Sequence, residues 1–274
     1  MKYLLISLMF PLWLKAQQAD SSIKIIHRAP ENWMVWQVKH VSQWIDRYNH
    51  ERLPDGTAFT DSSRLLYPRE QYIRWLFNAL DPRLQKNGSA SYKMLVNDFI
   101  EESCSSKPLL ISHQPALTAM VPILVQTTNP QKDTITVSLQ KRYRADSVAY
   151  WEVERVRFSK GFKLPKQLTS PDRATKRLYL PPNAHEVAFL PLRQLMIDSL
   201  TIARLTPDLG QSQSELLQLE TLLCQQKLTL LAMLPPTIWI DTQRGWKIQL
   251  NDFVRESENS GWLITGLWKQ DKTK

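Results

Sequence analysis

The sequence predicts an α+β fold built as two helix-then-antiparallel-sheet modules joined by a basic, Pro-containing linker. Three observations predict it. Apolar residues first recur at helical spacing and then alternate at strand spacing, the same order returns after position 185, and a proline-bearing basic stretch separates the two runs. The boundaries that follow are 1–16 for a leader, 17–157 and 185–274 for the two modules, and 158–184 for the linker.

Lys2 precedes a run of mostly apolar residues, Tyr3 to Leu14, and Ala16 stands where a signal peptidase needs a small side chain. That layout predicts a secretory signal peptide and a mature chain that works in the periplasm or as a secreted protein. A membrane span needs about 20 apolar residues. The longest later candidate, Leu228 to Ile240, is interrupted by Pro235 and Pro236, so no transmembrane span is expected after signal cleavage. Two cysteines, Cys104 and Cys224, are too few for a disulfide scaffold or a structural zinc site. Outside the cytoplasm they can form one bridge or stay as buried thiols.

In the N-terminal module the spacing of Met34, Val38, Val41, Ile45 and Tyr48 predicts one helix from Trp33 to Asn49, ended by the turn residues Pro54, Asp55 and Gly56. A second helix is expected from Pro68 to the stop at Asp81-Pro82, with Tyr72, Ile73, Leu76 and Leu80 along it. A third opens at Ser91 and carries Leu95, Val96, Phe99 and Ile100. Strand periodicity follows in Ala119 to Thr127, Thr134 to Lys141 and Tyr150 to Val156. Strict alternation in the last of these places Trp151, Val153 and Arg155 on one face.

The C-terminal module reads as helical from Val187 to Leu205, as a leucine-rich helix from Ser214 to Gln226, and as strands after that. A shift of 111 residues, without a gap, lays Leu228-Thr229 on Leu117-Thr118, Ile248 on Val137, Leu250 on Leu139, Trp262 on Trp151, Ile264 on Val153 and Leu267 on Val156. Trp151 and Trp262 are therefore expected in the core, with Gly261 in the turn before the last strand.

The formal charge is +9, and the charge is concentrated. Arg155, Arg157, Lys160, Lys163, Lys166, Arg173, Lys176 and Arg177 face Asp172 alone, which accounts for the whole excess left after Lys2 and Lys15 depart with the leader. The segment reads either as a solvated connector or as an anion-facing strap for an anionic surface. Nucleic acid is not expected, because only Phe158, Phe162 and Tyr179 are at hand for stacking.

Two stretches carry a resemblance. Trp36 to Glu51, with Trp44-Ile45-Asp46-Arg47-Tyr48-Asn49-His50 at its centre, resembles the opening helix of an uncharacterised family of exported proteins of Bacteroidetes type. The second pairs His185-Glu186 and Phe189 with the closing run from Asp252 to Ile264, which reads as strand, Asn259-Ser260-Gly261 turn and strand. Within that family the N-terminal half is similar to nuclear-transport-factor-2-like domains, cystatin-like α+β cones that host enzymes and plain binding modules alike. The resemblance implies no catalytic residue.

No catalytic constellation stands out in the residues themselves. Seven glycines with no G-x-G exclude dinucleotide and P-loop sites. His185-Glu186 lacks the second histidine of a zinc-peptidase helix, since Phe189 holds that place, and His27, His40, His50 and His113 never reach ligand spacing. Gly210 to Ser214 falls short of a nucleophile elbow, and Ser214 reads as an N-cap. Asp98, Glu101 and Glu102 form the densest carboxylate group. Trp33, Trp36, Trp44, Trp75, Trp239, Trp246 and Trp268 are left to share between the core and a pocket or platform for sugars or peptides. The expectation is an exported, non-enzymatic interaction or scaffold protein, without cofactor or metal, that meets a protein or envelope partner. The alternatives are a small-ligand or glycan receptor with an aromatic-lined cone, and a cryptic hydrolase or isomerase.

Overall fold

Helices precede strands twice along the chain. The computed structural model describes residues 33–128, 132–146, 148–159, 162, 180, 192 and 214–270. Helices α1 (Trp33–Trp36), α2 (Val41–Tyr48), α3 (Asp61–Leu66), α4 (Arg69–Trp75) and α5 (Ala90–Cys104) lead into β1 (Leu117–Thr127), β2 (Lys132–Tyr143) and β3 (Ala149–Phe158). Helix α6 (Ser214–Cys224) leads into β4 (Leu228–Met233), β5 (Thr237–Asp241), β6 (Trp246–Phe253) and β7 (Gly261–Lys269). The expected leader, most of the expected linker and, apart from Leu192, the helix expected from Val187 to Leu205 lie outside the described residues.

All the strands join one antiparallel sheet in the order β3-β2-β1-β5-β6-β7, with β4 beside the far end of β1. Strands from the two sides of the basic stretch pair directly, from Leu117 with Ile240 to Met120 with Thr237. β4 and β5 are two parts of one path along β1. Pro235-Pro236 interrupt it, and Leu234 N donates to the Pro122 carbonyl beside the break.

The two outer hairpins have one register. Val137 pairs with Val156 and Leu139 with Val153, while 111 residues later Ile248 pairs with Leu267 and Leu250 with Ile264. Each register slips at the equivalent place, between Ser138 and Leu139 and between Gln249 and Leu250. The slip puts two residues of the edge strand opposite one of its neighbour, as in a β-bulge. Arg155 is thereby turned away from Trp151 and Val153, and Val156 takes the inward place. Strict alternation across this strand misassigned Arg155 for that reason. The ungapped alignment also fails at the first strand of each set. Leu228-Thr229 belong to β4, and β5 instead answers to β1 at a shift of 119, which pairs Ala119 with its own counterpart Ile238. A pseudo-twofold axis therefore crosses the sheet at Ala119 and Ile238.

The covering helices cross over. α5, from the first set, packs against β7, with Phe99 edge-on to the Trp246 ring at 5.1 Å. α6, from the second set, packs against β3. Between the helices and the sheet lies one apolar core, where Trp44, Trp151, Trp246 and Trp262 are fully buried along with Tyr48, Phe77 and Phe99. Rings of this size dominate core energetics.

Two helices end earlier than their apolar spacing predicts, and both for the same reason. Val38 N donates to the Ser260 carbonyl and Trp262 N to Val38 O, so the segment between α1 and α2 lines the edge of β7. Met34, on the expected helix face, is exposed. After α4, Phe77 forms a second bridge to Ile264 on the same edge, and Leu80 is exposed. Backbone groups that a helix would satisfy are satisfied by the sheet instead. On the opposite edge, Leu180 exchanges two hydrogen bonds with Trp151. Each outer strand of the sheet, β3 and β7, is thus bridged at its inward-facing tryptophan end by a segment outside the sheet.

The loop from 254 to 260 fastens this arrangement. Asn259 is buried, and its Nδ2 donates to the carbonyls of Trp75 and Phe77 while its Oδ1 accepts from Ala79 N. Gly261 has φ +81°, and a Cβ there would lie 2.2 Å from the Val38 carbonyl oxygen. Only glycine allows so close a backbone approach in that conformation.

Candidate functional site

Alternation and the paired bulges decide what the face of the sheet away from α5 and α6 displays. β1 contributes Thr118 and Met120, β2 Ser138, and β3 the run Glu154, Arg155 and Arg157. β5 and β6 contribute Trp239 and Lys247, and all eight residues line a single open groove of about 300 Å³. Arg155 and Arg157 are exposed and have no ion-pair partner among the described residues. Their guanidinium groups remain available as forked, permanently charged donors.

At its other end the face is aromatic. The rings of Trp239 and Trp268 lie 5.1 Å apart, inclined by 39°, and the Lys247 ammonium stands 5.3 Å from the Trp239 centroid while pairing with Asp241 at 3.5 Å. Trp268 keeps 43% of its surface exposed. It folds over Gly266, where a Cβ would come within 2.2 Å of the indole. Neutral polar groups flank the pair. Asn251 Nδ2 donates to Thr237 Oγ1, and Asn251 Oδ1 accepts from Gln249 Nε2 and Thr265 Oγ1.

Of the basic residues singled out for anion binding, Arg155 and Arg157 are in this groove. Lys160, Lys163, Lys166, Arg173, Lys176 and Arg177 lie outside the described residues. The structural choices Trp151, Trp262 and Gly261 are all buried where alternation and the turn place them. The seven uncommitted tryptophans divide: Trp36, Trp44 and Trp246 are buried, Trp33 and Trp75 are half-buried, with Trp75 edge-on to Trp36 at 4.9 Å, and Trp239 and Trp268 make the platform. The Trp239–Trp268 pair is thus on the outer face of the sheet. The space beneath, where a cone would have its cavity, is packed with side chains.

The other candidates have structural partners. Asp98 and Glu101 are exposed on α5, and Glu102 is half-buried. Its carboxylate accepts from Trp246 Nε1 and Lys269 Nζ, each at 2.9 Å. Burial pushes the Glu102 pKa up, but the hydrogen bonds from Lys269 and Trp246 outweigh it and hold the group below the usual carboxylate range. His50, in the left-handed region at φ 62°, lies against Phe59 and Tyr72 with Nε2 on the Tyr67 carbonyl, and burial lowers its pKa. Arg47 is buried without a carboxylate and donates to the carbonyls of Trp36, Val35, Gln37 and Pro54. No disulfide joins Cys104 and Cys224.

Asp46, Glu51 and His113 come together in a way their spacing in the chain does not announce. The imidazole lies between the two acids, with Nε2 3.1 Å from Glu51 and Nδ1 3.7 Å from Asp46, and Arg52 also pairs with Asp46. Opposite ring nitrogens addressing different carboxylates make a chain of polar contacts rather than a set of ligands converging on one point. Among the described residues, no helix is long and apolar enough to cross a membrane.

Sequence reasoning flagged Arg155 and Arg157 through local charge but left Trp239 and Trp268 unassigned. The available signal was the glycine at 266, which stands where its counterpart at the shift of 111 is Arg155. No protein-family model, curated protein or solved structure matches this chain.

Proposed function

We propose that the chain is an exported, non-enzymatic interaction protein that holds its ligand against the outer face of the sheet. The observation that carries this reading is a groove lined by Arg155 and Arg157, which have no ion-pair partner among the described residues, and by the half-buried Trp239, whose ring lies against the exposed Trp268. Ligand sites combine apolar area with a few well-placed polar groups, and this face has both. The leader ending near Ala16 delivers the chain to the periplasm or the medium, and a partner from the envelope is the natural occupant. In the same reading the two helix-then-sheet modules are copies of one unit, and the 158–184 stretch connects them. The likeness of the N-terminal half to nuclear-transport-factor-2-like domains belongs to this proposal as well, with the ligand on the outer side of the sheet.

The test uses the chain from residue 17 onward, read by tryptophan fluorescence and by hydrogen exchange. The probes are acidic and neutral oligosaccharides, peptides and anionic vesicles. A saturable signal with protection in β3, β5 and β7 that Trp239→Ala removes supports the reading. Flat responses to every class, or protection confined to the helical side, overturn it.

A further inference from the structure

The two ends of the groove are chemically different, and the difference specifies what fits. Arg155 and Arg157, two residues apart on β3, both face outward because of the bulge at Glu154. A guanidinium recognises a carboxylate or sulfate best, through paired hydrogen bonds. Trp239 and Trp268 offer apolar ring area, with Trp239 Nε1 buried, next to a cluster of hydroxyl and amide groups on Thr237, Gln249, Asn251 and Thr265. Such surfaces match a pyranose ring, which has an apolar face and a rim of hydroxyls.

The charge count narrows the choice further. Among the described residues, those lining the groove are Arg155, Arg157 and Lys247 against Glu154, and Lys247 is already engaged by Asp241. A nucleic acid needs a continuous basic track, because it carries a phosphate at every step. A membrane surface needs a broad polybasic patch. A ligand with sparse charges separated by neutral rings needs what is present here.

Resting on the binding-face reading above, we propose that the ligand is an acidic glycan segment. One sugar ring is seated on the Trp239–Trp268 platform, and a carboxylate or sulfate group of the chain is held by Arg155 and Arg157. The pseudo-symmetric frame makes this direction-specific. Its two outer hairpins have the same register, so the outer side chains fix which end of the ligand goes where.

The experiment titrates the chain from residue 17 with an oligogalacturonate, the neutral galacto-oligosaccharide of the same length, inorganic sulfate and anionic vesicles. The acidic oligosaccharide is expected to bind at least tenfold more tightly than the neutral one. Arg155→Gln and Arg157→Gln each remove about tenfold of that preference, the loss of a charge-assisted bond, and leave neutral binding unchanged. Arg155→Lys keeps part of it, and Trp239→Ala weakens both sugars. Because the substitutions are on the exposed face, unchanged thermal melts confirm that folding is intact. Equal binding of the acidic and neutral sugars overturns the acidic-glycan inference while leaving a ligand face. So does binding of vesicles with no sugar binding, which transfers the face to lipid. No response to any probe overturns the binding face itself.

Discussion

The hairpin β2–β3 and the hairpin β6–β7 are the same object on the inside and different objects on the outside. Inward, Trp151, Val153 and Val156 answer to Trp262, Ile264 and Leu267, with the same bulge between them. Outward, Glu154, Arg155 and Arg157 answer to Thr265, Gly266 and Trp268. Packing in a close-filled core tolerates only residues of matched volume and polarity. The outer positions feel no such constraint, and there one hairpin is cationic and the other is an indole folded over glycine. The backbone is thus shared, and the chemistry is assigned one face at a time.

The inner identity gives the largest expected effect. Trp151→Ala and Trp262→Ala should each cost about 3–5 kcal/mol, and because one sheet and one core join the hairpins, each should lower a single cooperative transition. Calorimetry checks this. Two separate transitions, each sensitive to one tryptophan, would break the shared-core picture.

The edges of the two hairpins should respond unequally. Gly261→Ala forces a Cβ against the Val38 carbonyl at positive φ, and backbone strain of that kind costs about 1–3 kcal/mol. Tyr150 occupies the corresponding place beside Trp151, so Tyr150→Ala should cost less. Denaturant midpoints compare the two, and equal losses would mean that the Val38 bridge does not distinguish the edges. Asn259→Ala belongs with Gly261. It strands the carbonyls of Trp75 and Phe77 and the amide of Ala79, for an expected loss of about 1–3 kcal/mol.

These edge contacts also mark the limit of what the sequence makes legible. Alternation at Ile135, Val137 and Leu139 identifies β2, and the leucines after Ser214 identify α6, because those patterns are local. The helix expected from Trp33 to Asn49 fails at Val38, and the one expected from Pro68 fails at Phe77, because each pairs with a strand far along the chain. Local spacing contains no information on that competition. The groove was half visible. Charge exposed Arg155 and Arg157, but the bulge that turns Arg155 outward depends on pairing, as does the meeting of Trp239 with Trp268.

On the outer face, Gly266→Ala is the sharpest small change. Its methyl group must displace Trp268 from Trp239, so ring coupling in the near-ultraviolet circular dichroism should fall while the melting temperature moves little. An unchanged spectrum would mean that the platform has another support. The smallest effect concerns Glu102, which ties α5 to the β6–β7 hairpin. Its folded pKa lies below the unfolded value of about 4.3, so its stabilisation is complete above that value and is lost as pH falls through the lowered one. Partly exposed pairs of this kind contribute roughly 1 kcal/mol or less. Glu102→Gln should therefore flatten the acid limb of the stability profile slightly and leave the neutral region lower by that amount.

The closure of β7 by Val38 and Phe77 has a consequence for synthesis on the ribosome. The segments that need this strand are made early, and the strand that completes them is made late. Until Gly261 to Ile264 have emerged, Val38 and the end of α4 lack their backbone partners, and the core lacks the ring of Trp262. Long-range pairing of this sort delays folding until the distant partner arrives. A nascent chain stalled before β7 therefore displays unburied aromatic surface to chaperones and proteases, and reaching the final strand is the event that withdraws it.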